Sequence, residues 1–155
     1  MERLNQRNLH RFLEKCHNRA ELHSNASTNF TPSAVDTWEP LPIVLVDGDT
    51  QFFDQDGSEL TFMGKCETAL LFTGTANVNG SAQESTLTFG LFQNGVVVDG
   101  CITPVSFGAQ SRTKAFACSQ ILKVRPGDVI TLKYKGTSTS ITYTATTMSI
   151  AFWGR

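Results

Sequence analysis

Residues 119–134 constrain the fold of this chain more than any other stretch, because they predict two amphipathic strands joined by a tight turn. Pro126 fixes φ at about −65°, and Gly127 accepts the positive φ that a type II turn requires. On both sides of the turn apolar side chains alternate with polar ones, as in strands with one buried face. The stretch therefore predicts a β-hairpin that covers a hydrophobic core.

The chain from residue 43 onward continues in the same way. Asn94-Gly95 is its strongest short hairpin signal, since both residues tolerate the positive φ of a type I′ turn. Alternating apolar segments and intervening turns amount to about eight to ten strands, with no helical pattern among them. We therefore predict an all-β domain over residues 43–155, folded as an antiparallel jelly-roll β-sandwich.

Composition narrows the class of protein. The chain has 155 residues, of which 40% are hydrophobic and 17% charged, and its net charge is −1. This balance provides no basic footprint for nucleic acid, and no apolar run is long enough to cross a membrane. The charged N-terminus lacks the apolar core of a signal peptide, so we expect synthesis in a cytoplasm without export.

Residues 1–23 differ from the rest, because they contain no glycine or proline and their apolar residues recur at helical spacing. They predict an amphipathic helical arm, whose apolar stripe needs cover because a lone helix of this length is marginal. The arm either folds back on its own domain, or docks on a partner or on copies of itself. A nucleic-acid-binding arm is disfavoured, since the segment carries only about +2. We favour docking, because a long spacer follows.

Residues 24–42 predict an irregular, extended linker, because they are rich in small polar residues and contain three prolines. Phe30 and Trp38 are large for a flexible spacer, and we expect them to anchor it on a surface. The predicted docking residues for a partner are Leu4, Leu9, Phe12, Leu13, Phe30 and Trp38.

Catalytic patterns are weak. All the histidines, His10, His17 and His23, fall in the predicted arm, so we expect no Ser-His-Asp or Cys-His site in the β-domain and no enzyme activity. The chain has neither a phosphate-binding glycine loop nor a dinucleotide-binding motif. We therefore predict a protein without a cofactor.

The acidic residues and the cysteines each leave an alternative open. Five acidic residues lie close together between positions 47 and 59. Carboxylates grouped in loops can bind calcium, but two Asp-Gly turns explain this acidic cluster more simply, so we predict no metal. For the cysteines we expect free thiols, with a bridge between Cys101 and Cys118 as the alternative. The acidic cluster comprises Asp47, Asp49, Asp54, Asp56 and Glu59.

Four stretches of residues 58–155 resemble, in order, the TNF/C1q-like jelly-roll superfamily. Residues 59–76 look like its strand, loop and long central strand, and 87–95 look like its hydrophobic strand ending in Asn-Gly. Residues 121–132 look like its Leu-x-x-Gly-Asp hairpin, and 148–152 look like its closing Leu-Ser-Ile strand. One departure is Phe72, since many relatives have a tyrosine in this region. The resemblance implies a homotrimeric binding module without enzyme activity.

Similar domains occur as spikes, fibre tips and capsid decorations of bacterial viruses, and a short chain with an N-terminal arm fits that group. We therefore expect a bacteriophage virion protein: a trimeric head decoration or cement protein that its arm anchors to the capsid. The alternative is a receptor-binding knob of a tail or head fibre that recognises a host surface glycan. Ala151 and Trp153 of the last strand are the predicted trimer contacts.

Overall fold

The computed structural model describes residues 18–24, 26–42, 46–50, 52–80, 83–108 and 112–154. Within these ranges every regular element is a β-strand, and no helix that could cross a membrane is found among them. The strands are β1 Asn18–Ser24, β2 Thr28–Phe30, β3 Glu39–Pro40, β4 Val46–Thr50, β5 Phe53–Asp56, β6 Glu59–Phe62, β7 Thr68–Gly80, β8 Ser85–Gln93, β9 Val96–Phe107, β10 Arg112–Val124, β11 Val129–Gly136 and β12 Tyr143–Gly154.

The strands form two antiparallel sheets. Sheet A has the order β10-β7-β12-β1-β4, and β2 also pairs with β12. Sheet B has the order β5-β6-β11-β8-β9, and β3 extends it along β11. Some neighbours within a sheet, such as β7 and β12, are distant in sequence, as in a jelly roll. The predicted antiparallel sandwich is therefore confirmed. β8 and β9 form the predicted hairpin around Asn94-Gly95, but β10 and β11 lie in different sheets, so the β-hairpin predicted for residues 119–134 is wrong.

The predicted N-terminal helix is wrong over residues 18–23, because Asn18–Ser24 is strand β1. It pairs with β12 along its whole length, from Asn18 opposite Gly154 to Ser24 opposite Met148. Backbone hydrogen bonds to a strand more than a hundred residues away override the local helical spacing, which cannot register such a partner. Residues 1–17, with the predicted docking residues Leu4, Leu9, Phe12 and Leu13, lie outside the described residues.

Aromatic rings join the two sheets. Phe152 of sheet A is fully buried, and its ring centroid lies 4.5 Å from that of Phe53 in sheet B and 5.2 Å from that of Phe72. Phe53 in turn lies 5.4 Å from Phe62. Each of these side chains points inward because it occupies the apolar phase of an alternating strand. The core therefore depends on interlocking aromatic side chains from both sheets.

Residues 31–41, here called the strap, run along β11, with the Leu41 amide donating to the Leu132 carbonyl at 3.1 Å. Phe30, which precedes the strap, is only 5% exposed, and its ring lies 4.7 Å from that of Tyr134. The Trp38 ring lies 5.1 Å from that of Phe92 and so close to Gly90 that an added Cβ would be 2.9 Å from it. Both rings therefore anchor the linker, as predicted, but on their own domain.

The placement of these rings corrects the prediction that both dock on a partner. Phe30 is committed to the core and presents no surface to another protein. Trp38 is half-buried, and the Lys135 ammonium lies 5.3 Å from the centre of its ring. The strap is consequently part of the sandwich rather than a spacer between an arm and a body.

A carboxylate holds the strap to sheet B. Glu39 accepts hydrogen bonds from the Ser33 amide at 2.7 Å, the Ser33 hydroxyl at 2.8 Å and the Ala34 amide at 3.2 Å. Its other oxygen accepts from the Tyr134 hydroxyl at 3.1 Å. Partial desolvation raises the pKa of Glu39, but these hydrogen bonds outweigh it and hold the pKa below its usual value. Burial, together with the Glu39 charge, raises the pKa of Tyr134 to about 12.

Glu39→Gln is expected to lower the free energy of unfolding by about 1 kcal/mol at pH 7, after allowance for the partial exposure of the carboxylate. Because the pKa of Glu39 is lowered on folding, its contribution is present above its ordinary pKa of 4.5 and disappears as the pH falls through the folded value. Urea unfolding across this range should show wild type and variant converging in acid. A constant gap down to pH 2 would contradict this role.

A disulfide joins the two sheets at one side of the sandwich. Cys101 of β9 in sheet B is bonded to Cys118 of β10 in sheet A, with 5.7 Å between their Cα atoms. The expectation of free thiols is therefore wrong for this pair, and the alternative is confirmed. Spacing along the chain could not show that the outermost strands of different sheets face one another. Cys66 is an exposed free thiol.

Reducing the disulfide is expected to lower the free energy of unfolding by about 3 kcal/mol, because it closes a loop with a sequence separation of 17. For a chain of this length that loss lowers the melting temperature by about 10 °C. Thermal scans with and without dithiothreitol measure the effect. The double variant Cys101→Ala/Cys118→Ala is the control and should melt at one temperature in both buffers. A wild-type protein insensitive to the reductant would contradict the prediction.

Candidate functional site

Apart from Lys123 near the end of β10, the outer surface of three neighbouring strands of sheet A carries no charged side chain among the described residues. β10, β7 and β12 each alternate, with one set of side chains in the core and the other set facing outward. The outward set consists of small, hydroxyl, amide and apolar residues, and we call this surface the uncharged face. Its members are Thr113, Ala115, Ala117, Ser119 and Ile121 of β10, Leu71, Thr73, Thr75, Asn77 and Asn79 of β7, and Thr147, Ser149, Ala151 and Trp153 of β12.

The register of the strands places these residues in rows across the sheet. Ser119 lies opposite Thr73, which lies opposite Ala151. In the adjacent row Ala117 lies opposite Thr75, which lies opposite Ser149. The Asn77 amide donates to the Thr147 hydroxyl at 2.8 Å, which satisfies part of the polar surface within the sheet itself. Small side chains without charge leave a surface that another protein can approach closely at low desolvation cost.

One row of the uncharged face is apolar. Ile121 is opposite Leu71, and Leu71 is opposite Trp153, with exposed fractions of 69%, 41% and 44%. We call these three residues the apolar row. It lies near the base end, defined as the end of the sandwich that holds the turns at 94–95 and 125–128. Exposed apolar residues side by side mark a surface that another chain segment covers.

Charged residues bound the uncharged face at the base end. Arg125 Nε donates to Glu67 Oε2 at 2.6 Å, and Lys123 Nζ lies 3.8 Å from the other oxygen. The hydrogen bond and the charge of Arg125 hold the pKa of Glu67 below its usual range. With Gln93, Asn94 and Asp128, these residues line an open depression of about 270 Å³. Its polar atoms bond mainly to one another. The depression therefore forms a charged border of the uncharged face, which we call the rim.

Asp128 fastens two turns of this rim together. Its carboxylate accepts from the Asn94 side chain at 2.8 Å, the Gln93 side chain at 2.8 Å and the Arg125 amide at 2.9 Å. The bond from Asn94 does most to hold the pKa of Asp128 below its usual value, against partial burial. Asn94 also accepts from the Val129 amide at 2.9 Å. The sequence predicted two separate hairpin turns, and their mutual attachment required the register of β8 beside β11.

The predicted trimer contacts both lie on the uncharged face. Ala151 is half-buried at its centre, and Trp153 lies in the apolar row. The sequence identified only these two members, because the pairing of β12 with β7 and of β7 with β10 was not known. A signal for the others existed, since the outward positions of all three strands lack Asp, Glu and Arg, and Lys123 at the end of β10 is their single lysine among the described residues.

His23 corrects the premise that the β-domain contains no histidine, because it lies in β1 opposite Ser149 of β12. Both residues are half-exposed on the outer side of sheet A, and no hydrogen bond joins their side chains in the described part of the chain. Among the described side chains none forms a hydrogen bond to His23 that would orient it, as a nucleophilic triad requires.

The acidic cluster is divided between the two sheets. Asp47 and Asp49, predicted in a turn, lie in β4 of sheet A, whereas Asp54 and Asp56 lie in β5 of sheet B. Among the described side chains, no group of three or more potential metal ligands occurs. The predicted Asp-Gly turn near residue 57 does form, and Gly57 has a positive φ of 58°.

Comparison with known proteins identifies the architecture. No protein-family model matches the chain, and no curated protein matches it by sequence. Among solved structures, Eiger TNF from S. frugiperda superposes with a TM-score of 0.61 and 9% identity over 90% of this chain and 93% of that one. This chain has the TNF-like jelly-roll fold. Murine APRIL, crystallised at pH 5.0, matches this TNF-like jelly roll with a TM-score of 0.55 and 10% identity, over 88% of this chain and 99% of that one.

The predicted superfamily resemblance is therefore confirmed for the TNF-like jelly-roll fold. At identities of 9% and 10%, the likeness extends to the fold alone. The function must be argued from surfaces of this TNF-like jelly roll, foremost the uncharged face.

Proposed function

We propose that this protein is a structural component of a bacteriophage virion, a homotrimeric decoration or cement protein without enzyme activity. The observation that carries the proposal is the uncharged face, which spans three strands of a TNF-like jelly roll. Interface cores are depleted of charged residues. The superfamily resemblance implies three copies, and a closed ring of three uses one such face on each copy.

The position of the chain termini supports a role at the surface of a particle. Asn18 lies opposite Gly154 at the base end, so residues 1–17 and the C-terminus both join the domain there. The loops around residues 83–84, 108 and 137–142 lie at the opposite end. In the proposed assembly the base end faces the shell, and residues 1–17 supply the anchor through Leu4, Leu9, Phe12 and Leu13.

The first test of this proposal is the mass of the full-length protein in solution. Light scattering should give three times 17.0 kDa, or about 51 kDa, for a ring of three. The second test is location: purified protein carrying a gold label is added to shells of the encoding virus, and electron microscopy should show labels at regular sites. A monomeric protein rejects the trimer, and unlabelled shells reject the decoration role.

A receptor-binding knob is the second candidate, and the loop end favours it. Residues 137–140 are all hydroxyl-bearing, and Ser138 and Ser140 bond to each other at 3.0 Å. Such a loop, exposed at the end away from the chain termini, suits contact with a hydroxyl-rich glycan. Purified protein that blocks adsorption of virus to host cells would favour this function, and unaltered adsorption would favour the decoration role.

A further inference from the structure

The apolar row begins where residues 1–17 join the domain. By register Arg19 is opposite Trp153, which is followed across the sheet by Leu71 and then Ile121. The chain that precedes β1 therefore leaves the sandwich at one end of a line of exposed apolar residues. We propose that residues 1–17 of the same chain lie across the apolar row, with Leu9, Phe12 and Leu13 covering it. This contact within one chain belongs to the free protein and does not depend on the virion role. On a shell Leu9, Phe12 and Leu13 would leave the row to supply the anchor, and copies of the chain would meet on the remainder of the uncharged face, including Ala151, rather than on Trp153.

The distances allow this contact. Leu13 is five positions before Asn18, and five residues reach about 17 Å when extended or about 8 Å when helical. The far end of the row, on β10, is three strand spacings from β1, or about 14 Å. Leu13 can thus reach any residue of the row when residues 14–17 are extended, and the near residues when they are helical, and the preceding apolar residues reach it with less extension per residue.

The sequence of the segment complements the row. Its apolar residues recur every three to four positions, whereas Arg3, Arg7, Arg11 and Lys15 form a separate series at every fourth position. An amphipathic segment of this kind buries its apolar side and keeps its cations in water. Each Leu or Phe side chain removed from water contributes on the order of 2 kcal/mol.

The tether favours this segment over a second copy of the chain. A short linker gives its own segment an effective concentration of about millimolar at the row, which exceeds that of separate copies at micromolar protein. The charged rim also favours residues 1–17 over a second copy. A second domain bound on the row would have to cover Lys123 and Arg125 as well, which are highly exposed. A narrow segment can cover the row and leave that rim in water.

The first experiment uses Trp153 as a reporter in the full-length Trp38→Phe protein, which has no other tryptophan. Leu9→Asp/Leu13→Asp should raise acrylamide quenching of Trp153 several-fold and shift its emission to longer wavelength. Gln6→Asp/Asn8→Asp adds the same charge outside the apolar series and should leave both signals unchanged. Equal quenching in all three proteins would overturn the proposal.

The second experiment measures trypsin cleavage within the segment, which offers Arg7, Arg11 and Lys15. Ile121→Asp should accelerate cleavage there about tenfold. One lost apolar contact of about 1.4 kcal/mol raises the ratio of released to covered segment by that factor, and trypsin cleaves the released segment. Ile102→Asp is the matched control, because Ile102 is also exposed but lies on β9, away from the row. Unchanged cleavage in Ile121→Asp would overturn the proposal.

Dilution of the protein distinguishes residues 1–17 from a second copy of the chain as the occupant of the apolar row. If a second copy covers the row, quenching of Trp153 rises on dilution and the Leu9→Asp/Leu13→Asp change has no effect, which overturns the proposal. Quenching that is constant on dilution and rises only with that change supports it. The oligomeric mass measured on the same samples keeps this result distinct from the trimer.

Discussion

Thr75→Arg is expected to convert the proposed trimer into monomers. Thr75 is exposed at the centre of the uncharged face, with Ala117 opposite it on one side and Ser149 on the other. None of these neighbours offers a counter-charge. An arginine buried there without a partner costs about 4 kcal/mol per contact, which weakens association about a thousandfold. Light scattering at micromolar concentration should therefore fall from about three times 17.0 kDa to 17.0 kDa.

Thr61→Arg is the matched control. Thr61 lies on the outer side of sheet B, opposite Asp54 of β5, so a new cation there meets an acidic neighbour and an accessible surface. We expect this variant to keep the wild-type mass. If both variants keep it, the uncharged face is not the contact between copies. If both become monomers, the effect is a general consequence of added charge.

Phe152→Ala is expected to lower the free energy of unfolding by about 4 kcal/mol. Phe152 is fully buried between the sheets and contacts Phe53 and Phe72, so its loss removes apolar burial and leaves a cavity between two rigid surfaces. For a domain of this size the melting temperature should fall by about 12 °C. Calorimetry at one fixed protein concentration avoids a contribution from altered association.

Val96→Ala and Phe152→Leu test the reason for this loss. Val96 is exposed beside the turn at 94–95, and its truncation should cost no more than about 0.5 kcal/mol. Phe152→Leu keeps most of the apolar volume and should cost less than half of the alanine effect. If Phe152→Ala melts at the same temperature as Val96→Ala, the ring is not a structural link between the sheets.

Local chemistry was sufficient to predict the turns, but not the pairing of the strands beside them, since β8 and β9 form a hairpin whereas β10 and β11 lie in different sheets. Asn94 and Gly95 have φ values of 51° and 80°, and Gly127 has 89°, so these turns adopt the backbone that their residue types favour. Strand alternation likewise placed the apolar side chains inward. These features depend on neighbours within a few positions, which is the range over which sequence pattern and structure correspond most directly.

Long-range pairing explains what sequence pattern missed. Residues 18–23 satisfy a helical spacing, but the backbone of β12 offers seven paired positions, from Met148 to Gly154. Glu39 and Tyr134 are separated by 95 positions, so nothing local indicates that they form the clamp of the strap. Phe30 and Trp38 were recognised as anchors, but only the fold shows that they anchor to their own domain.

The uncharged face, too, was predicted only where local pattern was enough. Ala151 and Trp153 were predicted because they share the outward side of a recognisable last strand. The remainder of the uncharged face comes from β7 and β10, whose order beside β12 cannot be read from turns. Single-strand patterns thus identified the side of the sheet, and register identified its extent.

The disulfide makes the two sides of the sandwich unequal under thermal fluctuation. On one side Cys101 and Cys118 keep β9 and β10 together even when their surroundings loosen. The other side ends in β4 and β5, which are short strands that follow one another in the chain, with residues 51–52 between them. Because β4 and β5 each pair with one neighbour at only four positions, we expect their side of the sandwich to loosen before the side that the disulfide joins. Amide hydrogens of β4 and β5 should exchange with solvent before those of β9 and β10, and reduction should narrow that difference.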